Sequence, residues 1–275
     1  MTKKVALVTG ASSGIGESAV DELLGKGFIV YAAARRTEKM AALGERGAKV
    51  VALDVTDDDS MSSLIEHILV TDKRIDVLVN NAGYGSFGAV EDVPLDEARR
   101  QFEVNLFGLA RLSQLVLPTM RAQKSGRIIN VSSVGARFYE PFGGWYHATK
   151  YAVEGLSNCM RLEVAPFGVK VIVVAPAAIR SEWHGIAGES LEATSGDTAY
   201  GKYAKSARKM IDEAYNPATS APPQVVGRKI AHAATTRSPA AVYPVGKGAR
   251  MIRASVDLTP TRAYDAVLKR AFGTR

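Results

Sequence analysis

The chain has 275 residues, 47% of them hydrophobic and 23% charged, with a formal net charge of +7; this is enough to bury one sizeable core without a second domain. No apolar run approaches the roughly 18 residues that a membrane span needs, and Met1-Thr2-Lys3-Lys4 passes directly into apolar sequence, leaving no room for a signal peptide, so a cytoplasmic location is expected. Cys159 is the only cysteine, which excludes an internal disulfide and a cysteine-built metal site and leaves core packing as its expected role.

In chain order, Val5 to Val8 reads as a buried strand that runs into Thr9-Gly10-Ala11-Ser12-Ser13-Gly14-Ile15-Gly16, and a helical period follows through Ala19, Val20, Leu23 and Leu24 until Gly27. Strand, glycine turn and helix N-terminus form the context that a phosphate group needs. Gly10 allows the sharp turn, Gly14 leaves no side chain between backbone and pyrophosphate, and Gly16 lets helix and strand pack closely. The spacing G-x-x-x-G-x-G departs from the commoner G-x-G-x-x-G.

Further apolar runs follow at Phe28 to Ala33, Lys49 to Leu53, Ile75 to Val79, Arg127 to Val131, Val169 to Ala175 and Ala241 to Val245. Helical patterns stand between them near Glu38 to Gly44, Ser60 to Leu69, Leu95 to Arg121, Tyr146 to Ala165 and Pro223 to Ala234. Seven strands alternating with helices predict an α/β chain with a single-domain doubly wound Rossmann fold over residues 1–275. Its seven-stranded, mostly parallel sheet would carry helices on both faces and ligands at the C-terminal strand ends. Residues 181–221, rich in Gly, Ser, Thr and Ala, read as one long irregular segment placed to act as a substrate lid, and 246–275 as a C-terminal extension.

The end of the second strand, Ala34-Arg35-Arg36, bears on the cofactor. An NAD site places a carboxylate here for the ribose 2′-hydroxyl, whereas NADP needs a cation for the 2′-phosphate. Ala34 stands at the acidic position, the two guanidinium groups match phosphate, and Ser12 and Ser13 can add hydroxyl donors, so NADP(H) is expected. Two arginines after a strand also suit an ordinary solvated loop.

Tyr146 and Lys150 stand four residues apart, with Ser133 thirteen residues before the tyrosine. On a helix the pair shares one face, and the ammonium would favour phenolate and lower the tyrosine pKa. With the glycine turn and Asn80-Asn81-Ala82-Gly83 in the same order along the chain, the sequence resembles the short-chain dehydrogenase/reductase family. The stretch Gly-Arg-Ile-Ile-Asn-Val-Ser-Ser-Val-Gly resembles its hydroxysteroid-dehydrogenase-like branch, and matching motifs run from about Val5 to Ser181.

The resemblance implies a carbonyl reductase or alcohol dehydrogenase in which Ser133 holds the substrate oxygen and Tyr146 exchanges a proton with it. Lys150 would tune the tyrosine and bond the nicotinamide ribose, and Asn105 would anchor a water linking the lysine to solvent. Ser132 competes with Ser133, but strand alternation points the two to opposite sides. Asp54-Val55 resembles the adenine pair, with a plain helix cap as the other reading of Asp54. Asn81-Ala82-Gly83 resembles the ribose-supporting turn, and Ile15, Pro176, Ile179 and Ser181 complete the cofactor set. Pro176-Ala177-Ala178-Ile179-Arg180-Ser181 departs from the family in having alanine for glycine and serine for threonine.

Tyr84, Phe87, Phe138, Tyr139, Phe142, Trp145 and Trp183 flank these motifs, and aromatic walls suit a small but bulky apolar ketone, aldehyde or alcohol. A 3-ketoacyl reductase and a catalytically silent NADP-binding regulator are the alternative readings. His147 points about 100° from Tyr146 on a helix and reads as a packing or surface residue. No histidine has a ligand-like partner, so no metal is expected.

From Lys202 onward there are 14 Lys and Arg against 4 Asp and Glu. Tyr264, Val267, Leu268 and Phe272 follow a helical spacing there, with Arg262, Lys269 and Arg270 on other faces. Packing on the body or on a second subunit is the favoured use, membrane association the less favoured one, and nucleic-acid binding has no motif. The family usually forms homodimers or homotetramers.

Overall fold

Alternation along the strands assigns side chains to two opposite cores. In β1 (Val5–Thr9), Val5 and Leu7 pack on one face of the sheet while Ala6 and Val8 pack on the other. Both faces are covered, which explains why the strand reads as a continuous apolar run. The computed structural model describes residues 3–273.

The elements run β1, α1 (Gly14–Gly25), β2 (Ile29–Ala34), α2 (Ala41–Glu45), β3 (Lys49–Ala52), α3 (Asp58–Asp72), β4 (Val77–Asn80), α4 (Leu95–Phe102), α5 (Gly108–Ala122), β5 (Gly126–Val131), α6 (Gly144–Val164), β6 (Val169–Pro176), α7 (Trp183–Ser195), α8 (Gly201–Ala214), α9 (Gln224–Thr235), β7 (Val242–Val245), α10 (Ala249–Leu258) and α11 (Thr261–Phe272). The strands form one sheet in the order β3-β2-β1-β4-β5-β6-β7, every pairing parallel. This is the single-domain Rossmann arrangement expected from the strand and helix alternation. Helices α1 and α9 bury Val20, Leu23, Val226 and Ile230 on one face, and α3, α5 and α6 bury Leu64, Ile68, Leu112, Val116 and Met160 on the other. The order reverses between β1 and β4, which opens a crevice at their C-terminal ends.

Four expectations change. The apparent helix from Leu95 to Arg121 is interrupted by a π-turn at Glu103–Phe107, where an extra residue enters the helical repeat. The segment from 181 to 221 is not irregular, since α7 and α8 occupy most of it. They pack through small residues: Ala187 and Leu191 against Ala204 and Ala207. In α7 such residues carry a weak apolar period, whereas the face of α8 with Ala204, Ala207, Met210 and Ile211 is periodic but lies in a segment whose composition resembles that of a loop. Cys159 is exposed and does not serve the core. Asp57 rather than Asp54 caps α3, accepting from the N–H groups of Asp59 at 3.0 Å and Ser60 at 3.4 Å.

A third apolar cluster sits beyond the sheet and joins Phe87, Phe142 and Tyr146 to α7, α8 and Phe272 of α11. The tail therefore folds onto the body, as its spacing suggested, with Phe272 buried. Val267 is exposed instead. Residues 1, 2, 274 and 275, the ends of the expected domain and extension, lie outside the described residues. Among the described residues no helix is long and apolar enough to cross a membrane.

Candidate active site

The turn after β1 is shaped by backbone crowding. A Cβ at Gly16 would stand 2.1 Å from the Gly10 carbonyl oxygen, so any side chain there would push helix from strand. Gly14 has φ +57, and a Cβ there would meet Ser181 at 3.0 Å across the cleft. Asn81 fixes the turn from the β4 side: its side-chain amide donates to the carbonyls of Thr9 at 3.0 Å and Gly10 at 3.1 Å.

These residues border a cavity of about 470 Å³ at the C-terminal strand ends. It is lined by Gly10, Ser12, Ser13, Gly14 and Ile15 from the first turn, Arg35 and Arg36 after β2, Asp54 and Val55 after β3, and Asn81, Ala82 and Gly83 after β4. Ser133, Tyr146, Lys150, Pro176, Ile179 and Ser181 complete the residues expected from sequence. Gly16 and Asn105 do not line it; Gly16 acts behind the turn, and Asn105 behind Gly83. A glycine-floored cleft with a helix N-terminus at one side and guanidinium groups at the end of β2 fits an extended dinucleotide phosphate.

At the end of β5, Ser133 is extended and its Oγ accepts the Gly135 N–H at 3.0 Å. Ser132 turns the other way, its hydroxyl 3.5 Å from the Lys150 carbonyl. Helix α6 then presents Tyr146 and Lys150 on one face, with the Lys150 ammonium 5.8 Å from the centre of the Tyr146 ring. Burial pushes the phenol up to about 12, against a lowering hydrogen bond with Ser133, and the Glu140 charge adds a smaller push upward. Burial also brings Lys150 down to about 8, while its ammonium donates to the Val131 carbonyl at 3.1 Å. In this state desolvation dominates both groups and outweighs the lowering expected from the lysine.

Asn105 is buried in the π-turn. Its amide donates to the Tyr84 carbonyl at 2.9 Å and the Thr149 hydroxyl at 3.1 Å, and its oxygen accepts the Tyr84 N–H at 3.0 Å. It ties the loop after β4 to the tyrosine helix. Asp54 closes a turn by accepting the Thr56 N–H at 2.9 Å and hydroxyl at 2.8 Å. Burial raises its carboxyl, but these bonds with the Arg35 and Arg100 charges outweigh that effect and hold it low.

The aromatic wall is narrower than sequence suggested. Trp183 lies 5.1 Å from Tyr146 and 5.8 Å from Phe87 between ring centres, and stacks on Tyr215 at 5.6 Å. Tyr84 lines the cleft as well. Trp145 faces Phe102 instead, Phe138 packs on His147, and Tyr139 pairs with Tyr264 of α11. Tyr215, Ile186, Arg100, Val104 and Glu182 line the cleft without having been singled out in the sequence. Tyr215 stands just past α8, far from any motif, and carried no local signal.

His147, read as a packing or surface residue, is buried. Its Nδ1 donates to the Gly135 carbonyl at 2.8 Å, so Nε2 carries the lone pair. Among the described residues that Nε2 has no hydrogen-bond partner, and it lies 3.9 Å from a Glu140 carboxylate oxygen. Burial lowers the His147 pKa and raises the Glu140 carboxyl to about 7. Among the described residues no cluster of three or more His, Cys, Asp or Glu could hold a metal.

Comparison with known proteins agrees with this geometry. The short chain dehydrogenase family model matches residues 4–190. The chain is 34% identical over 265 residues to a probable short-chain type dehydrogenase/reductase VdlC of Helicobacter pylori, covering 96% of each. It is 32% identical over 278 residues to an NADPH-dependent 3-dehydrocapnine reductase of Ornithobacterium rhinotracheale, covering 96% of this chain and 95% of the relative. The crystal structure of a short-chain dehydrogenase from Streptomyces avermitilis superposes with a TM-score of 0.82 at 32% identity, over 98% of this chain and 97% of that one. Sheet order, glycine turn and the Ser133, Tyr146, Lys150 grouping thus coincide with an extended match in sequence and structure, and the chain belongs to the short-chain dehydrogenase/reductase family.

Proposed function

We propose that this oxidoreductase uses NADP(H) to interconvert a bulky apolar ketone or aldehyde and the corresponding alcohol, with Tyr146 as the acid and base. The observation that carries the reading is the presence of Ser133, Tyr146 and Lys150 in the same cleft as the glycine turn and Arg36. When bound, the nicotinamide supplies hydride to the carbonyl carbon or accepts it from the alcohol. Ser133 Oγ accepts the Gly135 N–H and its hydroxyl also bonds Tyr146, so its proton lies beside the phenol and can turn to a substrate oxygen bound there. A phenol raised to about 12 holds its proton at neutral pH and so starts as an acid. The Lys150 ammonium, with its pKa near 8, is mostly charged at pH 7 and can stabilise the phenolate left after transfer.

Arg35 and Arg36 without an acid at Ala34, together with the NADPH-dependent relative, support NADP(H). Trp183, Phe87 and Tyr215 support an apolar substrate, with α7 and α8 as the lid. Cytoplasmic location and assembly as a homodimer or homotetramer belong to the same proposal. The test is NADPH consumption over a panel of bulky ketones and aldehydes, with cofactor titrations alongside. Turnover is expected, with NADPH bound about tenfold or more tighter than NADH and the gap narrowed in Arg35→Ala. Equal affinity of the wild type for both cofactors would exclude the NADP(H) assignment, and no turnover with any carbonyl would exclude the reaction.

A further inference from the structure

At the β2 end of the cleft, two cations already hold an anion that belongs to the chain itself. Glu182, immediately before α7, reaches across to Arg36 with an O to N distance of 3.0 Å and to Lys39, in the short turn after β2, at 3.0 Å. Arg36 also donates to Ser12 Oγ at 3.3 Å. Hydrogen bonds from Lys39 and Arg36 hold the Glu182 carboxyl below its usual range. The three side chains keep 43–46% of their surface exposed, so a ligand can reach them. Ion pairs this exposed are individually weak, which makes the contact one that a stronger anion can open.

We propose that Arg36, Lys39 and Ser12 form a phosphomonoester subsite whose resting occupant is Glu182, and that a 2′-phosphate displaces it and frees the start of α7. The inference rests on the NADP(H) reading and deepens it, because it adds Lys39 as a specificity residue and Glu182 as an internal competitor. A phosphomonoester brings about −1.5 to −2 charges and three acceptor oxygens, against one charge and two oxygens for Glu182, so guanidinium and ammonium favour it. Repulsion between the two anions prevents both from sharing the cations. Glu182 is followed directly by Trp183, whose ring lies 5.1 Å from Tyr146. An exchange at the β2 end therefore reaches the aromatic wall along a short stretch of backbone. A cofactor with a 2′-hydroxyl brings no competing anion and leaves the contact in place.

The test is calorimetric titration of the full chain with adenosine 2′,5′-bisphosphate and with 5′-AMP, which differ only in the 2′-phosphate. Glu182→Gln is expected to tighten bisphosphate binding by about threefold to tenfold and to leave 5′-AMP unchanged. Lys39→Met is expected to weaken the bisphosphate by about tenfold, again without effect on 5′-AMP. In the wild type the bisphosphate, and not 5′-AMP, should raise amide exchange over residues 182–187. If Glu182→Gln leaves the bisphosphate affinity unchanged, or weakens both ligands, Glu182 is no competitor and the inference fails while the cofactor reading stands. A wild type that binds both ligands equally would remove the cofactor reading as well.

Discussion

Tyr146 and Lys150 are buried and Glu140 is half-buried, and each responds by disfavouring its charged form. Glu140 is the most informative for stability, because its carboxyl rises from an ordinary value near 4.5 to about 7, with no Lys or Arg paired to it among the described residues. The facing titratable groups are His147 and Tyr146 on α6, Tyr215 after α8 and Tyr264 on α11. A raised acid pKa favours folding fully below the unfolded value and loses that contribution as pH rises from about 4.5 to about 7. Glu140→Gln should therefore match the wild type near pH 4.5 and gain on it through that window. With 31% of the side chain exposed, the gain above pH 7 is discounted to about 1–2 kcal/mol. Denaturant melts across the pH range check this; a constant difference would show that Glu140 ionises freely. The positions of Ser133, Tyr146 and Lys150 were legible because their spacing is a motif. Their protonation was not, because desolvation depends on residues such as Glu140 and Tyr215 that no local pattern marks.

At the scale of elements, the β-strands could be read to within a residue or two because four to eight apolar residues bounded by turns have few other uses. Helix α7 could not, since Gly, Ala, Ser and Thr pack it without leaving an apolar stripe, whereas α8 carries one in Tyr203, Ala204, Ala207, Met210 and Ile211 that the composition of the whole segment hid. The tail shows a mixed result: its helical spacing was visible, but which residues face inward depends on the third cluster. Phe272 packs there with Tyr146, and Arg253 of α10 pairs with buried Glu154 of α6 at 2.5 and 2.9 Å. Phe272→Ala should cost about 3 kcal/mol, felt mainly by α11. The expected readout is faster amide exchange over residues 261–272 and a severalfold higher KM for the carbonyl substrate, with cofactor affinity unchanged. Unaltered exchange and KM would mean that α11 does not support the substrate wall.

At the scale of the molecule, β1, β4 and β5 deliver the glycine turn, the Asn81 loop and Ser133 to one edge of a parallel sheet, and α6 adds Tyr146 and Lys150 to it. The sheet's role is to fix these groups before substrate arrives, so removal of a single hydroxyl should stop the chemistry without disturbing the cleft. The direct test is Tyr146→Phe, with turnover of a carbonyl substrate and the NADPH dissociation constant measured on the same preparation. Loss of proton transfer should lower kcat by about 10²–10⁴, while NADPH affinity stays within about twofold because the phenyl ring still fills its place. A kcat near that of the wild type would contradict the assignment of Tyr146 as the acid, and a parallel loss of NADPH binding would contradict the preformed cleft.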